Sequence, residues 1–163
     1  MAVHRAFLNL TAADLMSREV VVIPREMSLR SAAHRLAQAR ISGAPVVDAA
    51  GRLVGVLSAT DFVRCVEKGK TTDQPAWDPC YCSDWAMPEI DKIPTDAVAG
   101  FMTADPVTVP PATGIGALAE RMIDAHIHRL IVVNEERRPV GIVSTTDILA
   151  AVARAGRAAP LAV

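Results

Sequence analysis

Apolar residues fall into two kinds of run along this chain, and the same order of runs occurs twice. Val20-Val21-Val22-Ile23 is a continuous β-branched run closed by Pro24, which predicts a buried strand. Leu29, Ala32, Ala33, Leu36 and Ala37 follow at i, i+3, i+4, i+7, i+8 spacing, with His34, Arg35 and Gln38 off the stripe. That spacing predicts an amphipathic helix, with Ser28 as its N-cap and Ser42-Gly43 as its breaker. Pro45 to Asp48 and Leu53 to Leu57 read as two strands of a hairpin around Ala49-Ala50-Gly51. Ser58 to Asp61 opens a helix through Phe62, Val63 and Val66. Upstream, Thr11 suits the N-cap of a short helix carrying Leu15 and Met16.

The later half repeats the order. Val107 to Val109 is the strand, and Ile115, Leu118, Ala119, Met122 and Ile123 carry the helical stripe in the same register. Leu130 to Val133 and Val140 to Val143 form a hairpin around Glu135 to Arg138, and Ile148 to Ala155 is the last helix. The offset is 86 residues (147 − 61), and it is gapless: Met16 matches Met102, Pro24 Pro110, Arg35 Arg121, Gly55 Gly141, Ser58 Ser144, Thr60 Thr146 and Asp61 Asp147. Two copies of one unit of roughly 55 to 60 residues are too few for a solenoid and enough for a two-fold module. The expected class is α+β, two β-α-β-β-α units with helices on one face of a small sheet. The expected division is 1–66 for the first repeat with its lead-in, 67–98 for an insertion, 99–155 for the second repeat and 156–163 for a tail. The insertion holds Pro75, Pro79, Pro88 and Pro94, both tryptophans, the one tyrosine, Cys80 and Cys82, which predicts an ordered segment packed on the module or a partner.

Composition narrows the function classes. Half of the 163 residues are hydrophobic, so a core is available. A net charge of −1 gives no electrostatic case for nucleic acid or an anionic membrane. No apolar run reaches the length of a membrane span, and Met1 to Leu10 lacks a signal-peptide core. Three cysteines suit a reducing cytoplasm. Cys80-Tyr81-Cys82 spaces its thiols too closely for a C-x-x-C zinc site, so no metal is expected. No nucleophile, base and orienter set stands out, so an enzyme is not expected and no catalytic cofactor is called for.

Function is expected at the two strand-to-helix corners, Gly55-Val56-Leu57-Ser58-Ala59-Thr60-Asp61 and Gly141-Ile142-Val143-Ser144-Thr145-Thr146-Asp147. The plain account is helix capping, with Ser as N-cap and Asp complementing the dipole. The functional account is a nucleotide's sugar and phosphate. A helix start offers N–H groups to an anion, a hydroxyl donates beside it, and a carboxylate accepts from vicinal ribose hydroxyls.

The repeated pattern resembles a tandem pair of CBS (cystathionine β-synthase) domains, the Bateman module, over about residues 14 to 66 and 100 to 155. His128-Arg129-Leu130-Ile131-Val132-Val133-Asn134 with Gly141 to Asp147 is similar to repeats of the gamma subunit of AMP-activated protein kinase. The resemblance implies a non-catalytic regulatory module, packed with pseudo-two-fold symmetry, that senses AMP, ADP or ATP between its repeats. It also implies a homodimer, with a separate regulated protein as a further partner. The alternative is a structural or interaction module with vestigial pockets, acting through dimerisation and the 67–98 insertion. In the second pocket it assigns Asp147 to the ribose, Ser144 and Thr146 to ribose or phosphate, and His128 and Arg129 to phosphate. Val107, Ile127 and Ile142 would line the adenine slot, with backbone near Thr103 and Asp105 at its edge. The first-copy equivalents are Asp61, Ser58, Thr60, Val21, Ile41 and Val56, with backbone near Ser17 and Glu19. Ser42-Gly43 stands there in place of His128-Arg129, which leaves three alternatives for pocket one: empty, holding a nucleoside, or borrowing charge across the module.

Overall fold

The computed structural model describes residues 7–69 and 93–158. The chain runs α1 (Ala12–Leu15), β1 (Ile23–Pro24), α2 (Leu29–Ala39), β2 (Gly43–Val47), β3 (Leu53–Ser58) and α3 (Ala59–Gly69). A 3-10 turn at Val98–Gly100 leads into β4 (Thr103–Ala104), β5 (Thr108–Val109), α4 (Ile115–Asp124), β6 (Arg129–Val133), β7 (Pro139–Ser144) and α5 (Thr145–Ala158). The first sheet has the order β1-β2-β3-β4 and the second β5-β6-β7. In each, a short parallel strand lies beside an antiparallel hairpin: Ile23 opposite Val46 in the first, Val109 opposite Val132 in the second. The α+β class and the two-fold repeat are therefore as expected.

Local chemistry explains the element ends. Ser28 accepts from Ser31 N–H at 3.1 Å and starts α2. That helix stops at Arg40, which is left-handed at φ 53°, before Ser42-Gly43. His126 after α4 has the matching φ of 51°. The hairpin turns correspond too: Asp48 Oδ1 accepts from Ala50 and Arg52 N–H, and Asn134 Oδ1 from Glu136 and Arg138 N–H. The strand expected over Val20 to Ile23 is shorter, Ile23–Pro24, because parallel pairing to β2 begins only at Val46. Val20 to Val22 remain half-buried.

Packing cuts across the sequence repeats. Ile23, Leu29, Leu36, Val46, Leu57 and Phe62 form one core; Ile93 and Val98 from the end of the insertion, with Phe101 and Met102 just after it, complete it. Val109, Leu118, Met122, Leu130, Val132 and Val143 form the other, completed by Ala12, Leu15 and Met16 from the start of the chain. Each copy thus lends its opening segment to the other. The exchange is hydrogen-bonded in mirrored pairs. Leu29 N–H donates to Asp96 O as Ile115 N–H does to Leu10 O, and Val98 N–H to Met27 O as Ala12 N–H does to Thr113 O, all at 2.8 Å. The sequential division at 66 and 99 therefore does not coincide with the two packed units, which need 93–104 on the first sheet and 11–17 on the second.

One joint is one-sided. Leu53 N–H donates to Arg137 O at 2.8 Å across the two hairpins. The counterpart of Leu53 is Pro139, which has no N–H to return the bond. Expectations for Trp77, Cys80, Tyr81, Cys82 and Trp85 lie outside the described residues. Among the described residues, no helix is long and apolar enough to cross a membrane.

Candidate functional site

Each corner is built where a strand ends on Ser and the next helix places Asp in its first turn. Asp61 Oδ2 accepts from Ser58 N–H at 2.8 Å and from its Oγ at 2.7 Å. Asp147 Oδ2 accepts from Ser144 N–H at 2.7 Å and Oγ at 2.6 Å, and Asp147 N–H returns to Ser144 Oγ at 3.3 Å. The same contacts occur at Thr11, whose N–H and Oγ reach Asp14 at 2.9 and 2.8 Å. The Ser/Thr-x-x-Asp geometry is therefore a helix-starting device in itself. What sets the two corners apart is their surroundings at the junction of the repeats.

Those surroundings differ. Asp61 is only 4% exposed. Its Oδ1 takes the Thr103 hydroxyl at 3.2 Å and lies 3.7 Å from Arg64 Nη1. Asp147 is half-buried, and among the described residues its Oδ1 has no hydrogen-bond partner. The counterparts of Thr103 and Arg64 are Ser17 and Ala150.

The edge-lining backbone is exchanged relative to expectation. Thr103 pairs with Val56 on β3, so it belongs to the Asp61 corner and not to that of Asp147. Ser17 and Ile142 exchange N–H to O bonds of 2.9 and 3.0 Å, so Ser17 belongs to the Asp147 corner. The cause is the crossing of the two opening segments. Each precedes its own repeat in sequence but adds an edge to the other repeat's hairpin.

Arg129 also crosses. Its Nη1 donates to Ser42 Oγ at 2.8 Å. A cavity of about 560 Å³ opens there, lined by Leu36, Ala37, Arg40, Ile41, Ser42, Ala59, Phe62 and Arg129. Of the expected site residues, the structure brings Ile41 and Arg129 together in this cavity, which is walled by residues on either side of Asp61. Arg40 was not anticipated. Its signal was its place at the C-terminal end of the helical stripe, just before Ser42-Gly43, where it joins Leu36 and Ala37 in the cavity wall. His128 is exposed, and its carbonyl accepts from Thr145 N–H at 3.0 Å, just as Ser42 O accepts from Ala59 N–H at 2.9 Å. Thr60, Thr146, Asp105 and Val107 are exposed; Val21, Val56, Ile127 and Ile142 are partly buried. Ile127 packs on the second core. Among the described residues no group of three or more His, Cys, Asp or Glu is placed to hold a metal ion.

A tandem of two interlocked β-α-β-β-α units with matched Ser/Asp corners defines a two-fold repeat module. The CBS domain model matches residues 12–68 and 98–154, and the chain belongs to that family. It is similar to a homoserine O-acetyltransferase of Methanococcoides burtonii, 26% identical over 90% of this chain and 25% of that protein, so it spans about a quarter of that relative. Among solved structures it resembles MJ1225 of Methanocaldococcus jannaschii, a putative archaeal homolog of the AMP-activated kinase gamma subunit (27% identity, TM-score 0.67, 91% of this chain and 51% of that one). It also resembles the cytosolic domain of the Mg2+ channel MgtE in complex with ATP (30%, 0.62, 84% and 46%). CBSX2 in complex with AMP shares the fold (23%, 0.69, 90% and 98%).

Proposed function

We propose that the chain is a regulatory module that binds an adenosine-containing nucleotide between its two CBS repeats and signals by ligand-biased conformation. The observation that carries this reading is the reach of Arg129 to Ser42 across the repeats, 2.8 Å, into a cavity beside the Asp61 corner. A cavity of that size fits a small-molecule ligand. Its lining is apolar for a base and carries guanidinium groups for a phosphate. The corner carboxylates suit ribose hydroxyls. Complexes of MgtE with ATP and of CBSX2 with AMP support the ligand class.

The mechanism follows from the crossing. A ligand that touches Arg129 on one repeat and the Asp61 corner on the other has an affinity that depends on the angle between them. It therefore shifts that angle by its differential affinity. Exposed Val63, Ile123, Leu149 and Val152 on α3, α4 and α5 supply apolar helix faces, which favour a homodimer as the element that reads the change. The regulated protein is a separate chain or a fused domain, as in relatives longer than this chain.

The test is a thermal-shift panel of AMP, ADP, ATP, NAD, S-adenosylmethionine and adenosine. A ligand at about 100 times its Kd adds about 2.7 kcal/mol, a rise of several degrees. A shift with at least one ligand that weakens in Arg129→Ala is the expected result. Absence of any shift, in protein free of co-purified nucleotide, would leave the interaction-module reading in its place.

A further inference from the structure

Resting on the nucleotide-binding reading above, we infer that Arg40 is the second arm of a phosphate clamp. The ligand's phosphoryl group is held between Arg40 of the first repeat and Arg129 of the second, beside the Ser42 hydroxyl. Arg40 is thereby a specificity-determining residue of this cavity and favours a nucleotide over its nucleoside.

The end of α2 makes no use of the Arg40 side chain. Arg40 N–H donates to Ala37 O and Ile41 N–H to Leu36 O, each at 3.1 Å, so these carbonyls are satisfied by backbone donors alone. The closing residue stands left-handed at φ 53°, a conformation that glycine adopts without strain and a side chain does not. A cation at a helix end complements the dipole, but at an exposed position that effect is screened and no larger than the strain. Among the described residues the guanidinium makes no hydrogen bond and no ion pair. Stability alone would favour glycine here, so the arginine answers to something outside the helix.

What lies outside is the cavity of about 560 Å³. Arg40 and Arg129 both line it, and among the described residues no carboxylate does. Arg129 Nη1 is fixed on Ser42 Oγ at 2.8 Å. Ser42 stands two residues beyond Arg40, a span of at most about 7 Å of chain, which a guanidinium on its long stem covers. Two like charges thus share one concave space with no counter-charge in its wall, and they repel. A phosphate between them turns that repulsion into attraction on both sides. Guanidinium forks match phosphate oxygens in pairs, and the bond to Ser42 occupies only one of the Arg129 N–H donors and leaves the others to the ligand.

The 86-residue offset does not reproduce this set. The counterparts of Arg40, Ser42 and Arg129 are His126, His128 and Gly43. The clamp is therefore a property of these three side chains and not of the repeated framework. Leu36, Ala37, Ile41 and Phe62 leave the remaining wall apolar, as the base of a nucleotide requires.

Isothermal titration of the intact chain with AMP, ATP and adenosine tests this, in Arg40→Gly, Arg40→Gln and Arg129→Gln. Arg40→Gly relieves the left-handed position. It is expected to melt no lower than the unaltered chain and yet to bind AMP about tenfold or more weakly, with adenosine unchanged. Arg40→Gln, which keeps a long side chain at the same φ, is expected to lose AMP to the same extent. Arg129→Gln weakens AMP likewise, because AMP carries a single phosphoryl group that both arms hold. A residue kept for the helix alone would give the opposite result in Arg40→Gly, a lower melting temperature with unchanged AMP affinity, and that overturns the inference. So does a loss of adenosine as large as that of AMP. Heat with ATP and none with AMP overturns a clamp on one phosphoryl group. Each of these outcomes leaves the nucleotide reading standing, whereas absence of heat with either nucleotide in the unaltered protein overturns both.

Discussion

Met16 lies directly on Gly141, although the two stand 125 positions apart in the chain (141 − 16). A Cβ on Gly141 would overlap the Sδ, Cγ and Cβ of Met16. The two-fold mate of this contact is Met102 on Gly55. In both, a methionine that opens one repeat fills the space a missing side chain leaves on the hairpin of the other. The glycines so conspicuous in the repeat are thus where the interlock closes.

Substituting these glycines has unequal consequences. The three atoms nearest a Cβ on Gly141 all belong to the Met16 side chain, whereas on Gly55 the backbone Thr103 O is among the nearest, at 2.8 Å. Overpacking costs about 1–3 kcal/mol, more where backbone must move. Gly55→Ala should therefore destabilise more than Gly141→Ala in denaturant unfolding. Met16→Ala should recover much of the Gly141→Ala loss in a double-mutant cycle, while Met102→Ala should recover little of Gly55→Ala. Equal recovery would mean Thr103 is not the obstacle.

The exchanged segments set which fragment folds. Residues 18–104 contain the whole first core, including Ile93 and Val98, which are 2% and 0% exposed. Residues 1–68 lack both. Two fully buried aliphatic side chains contribute about 3–6 kcal/mol, against a total stability of about 5–15 kcal/mol. We expect fragment 18–104 to give a dispersed amide spectrum and 1–68 to give a collapsed one. The reverse would show that the sequence repeat, rather than the packed unit, is the folding unit.

Arg137 stands left-handed at φ 59°, where its counterpart is Gly51 at φ 76°. A non-glycine residue there bears about 1 kcal/mol of strain. Its bond to Leu53 uses the backbone carbonyl and survives substitution. Arg137→Gly is expected to raise the melting temperature by about 2–4 °C. A fall would mean the side chain contributes a contact that outweighs the strain.

Acid sensitivity should be confined to particular turns. The Arg52 N–H bond lowers the Asp48 pKa below its usual 3.8, and the Thr11 N–H bond lowers that of Asp14 likewise. A carboxylate with a depressed folded pKa stabilises the fold above its unfolded value. That contribution is lost as pH falls from about 4 through the folded value. Asn134 holds the matching turn with an uncharged amide. Asp48→Asn should therefore keep the turn at neutral pH and flatten the drop in melting temperature below about pH 4. An unchanged acid limb would place that sensitivity elsewhere.

Much of this protein was legible in one dimension. The 86-residue offset, the stripe of Leu29 to Leu36 and its echo, and the hairpin turns at Asp48 and Asn134 all rest on local periodicity and turn chemistry, which act over a few residues. Ser58 with Asp61 and Ser144 with Asp147 were legible for the same reason, as was the CBS family. Arg40 was missed because its role comes from a left-handed helix end that no stripe records. Thr103 was put with the wrong corner because sequence order gives no sign that a segment has crossed.

The sequence by itself thus determined the unit, its duplication and the side chains that each corner presents. Only the tertiary structure decided which corner each neighbour serves. Local propensity specifies a segment's shape, but its partner is chosen by the burial of Met16, Val98 and their neighbours against a hairpin far along the chain. That choice sends Arg129 to Ser42 and leaves Asp147 with an open oxygen, so two nearly identical corners acquire different surroundings.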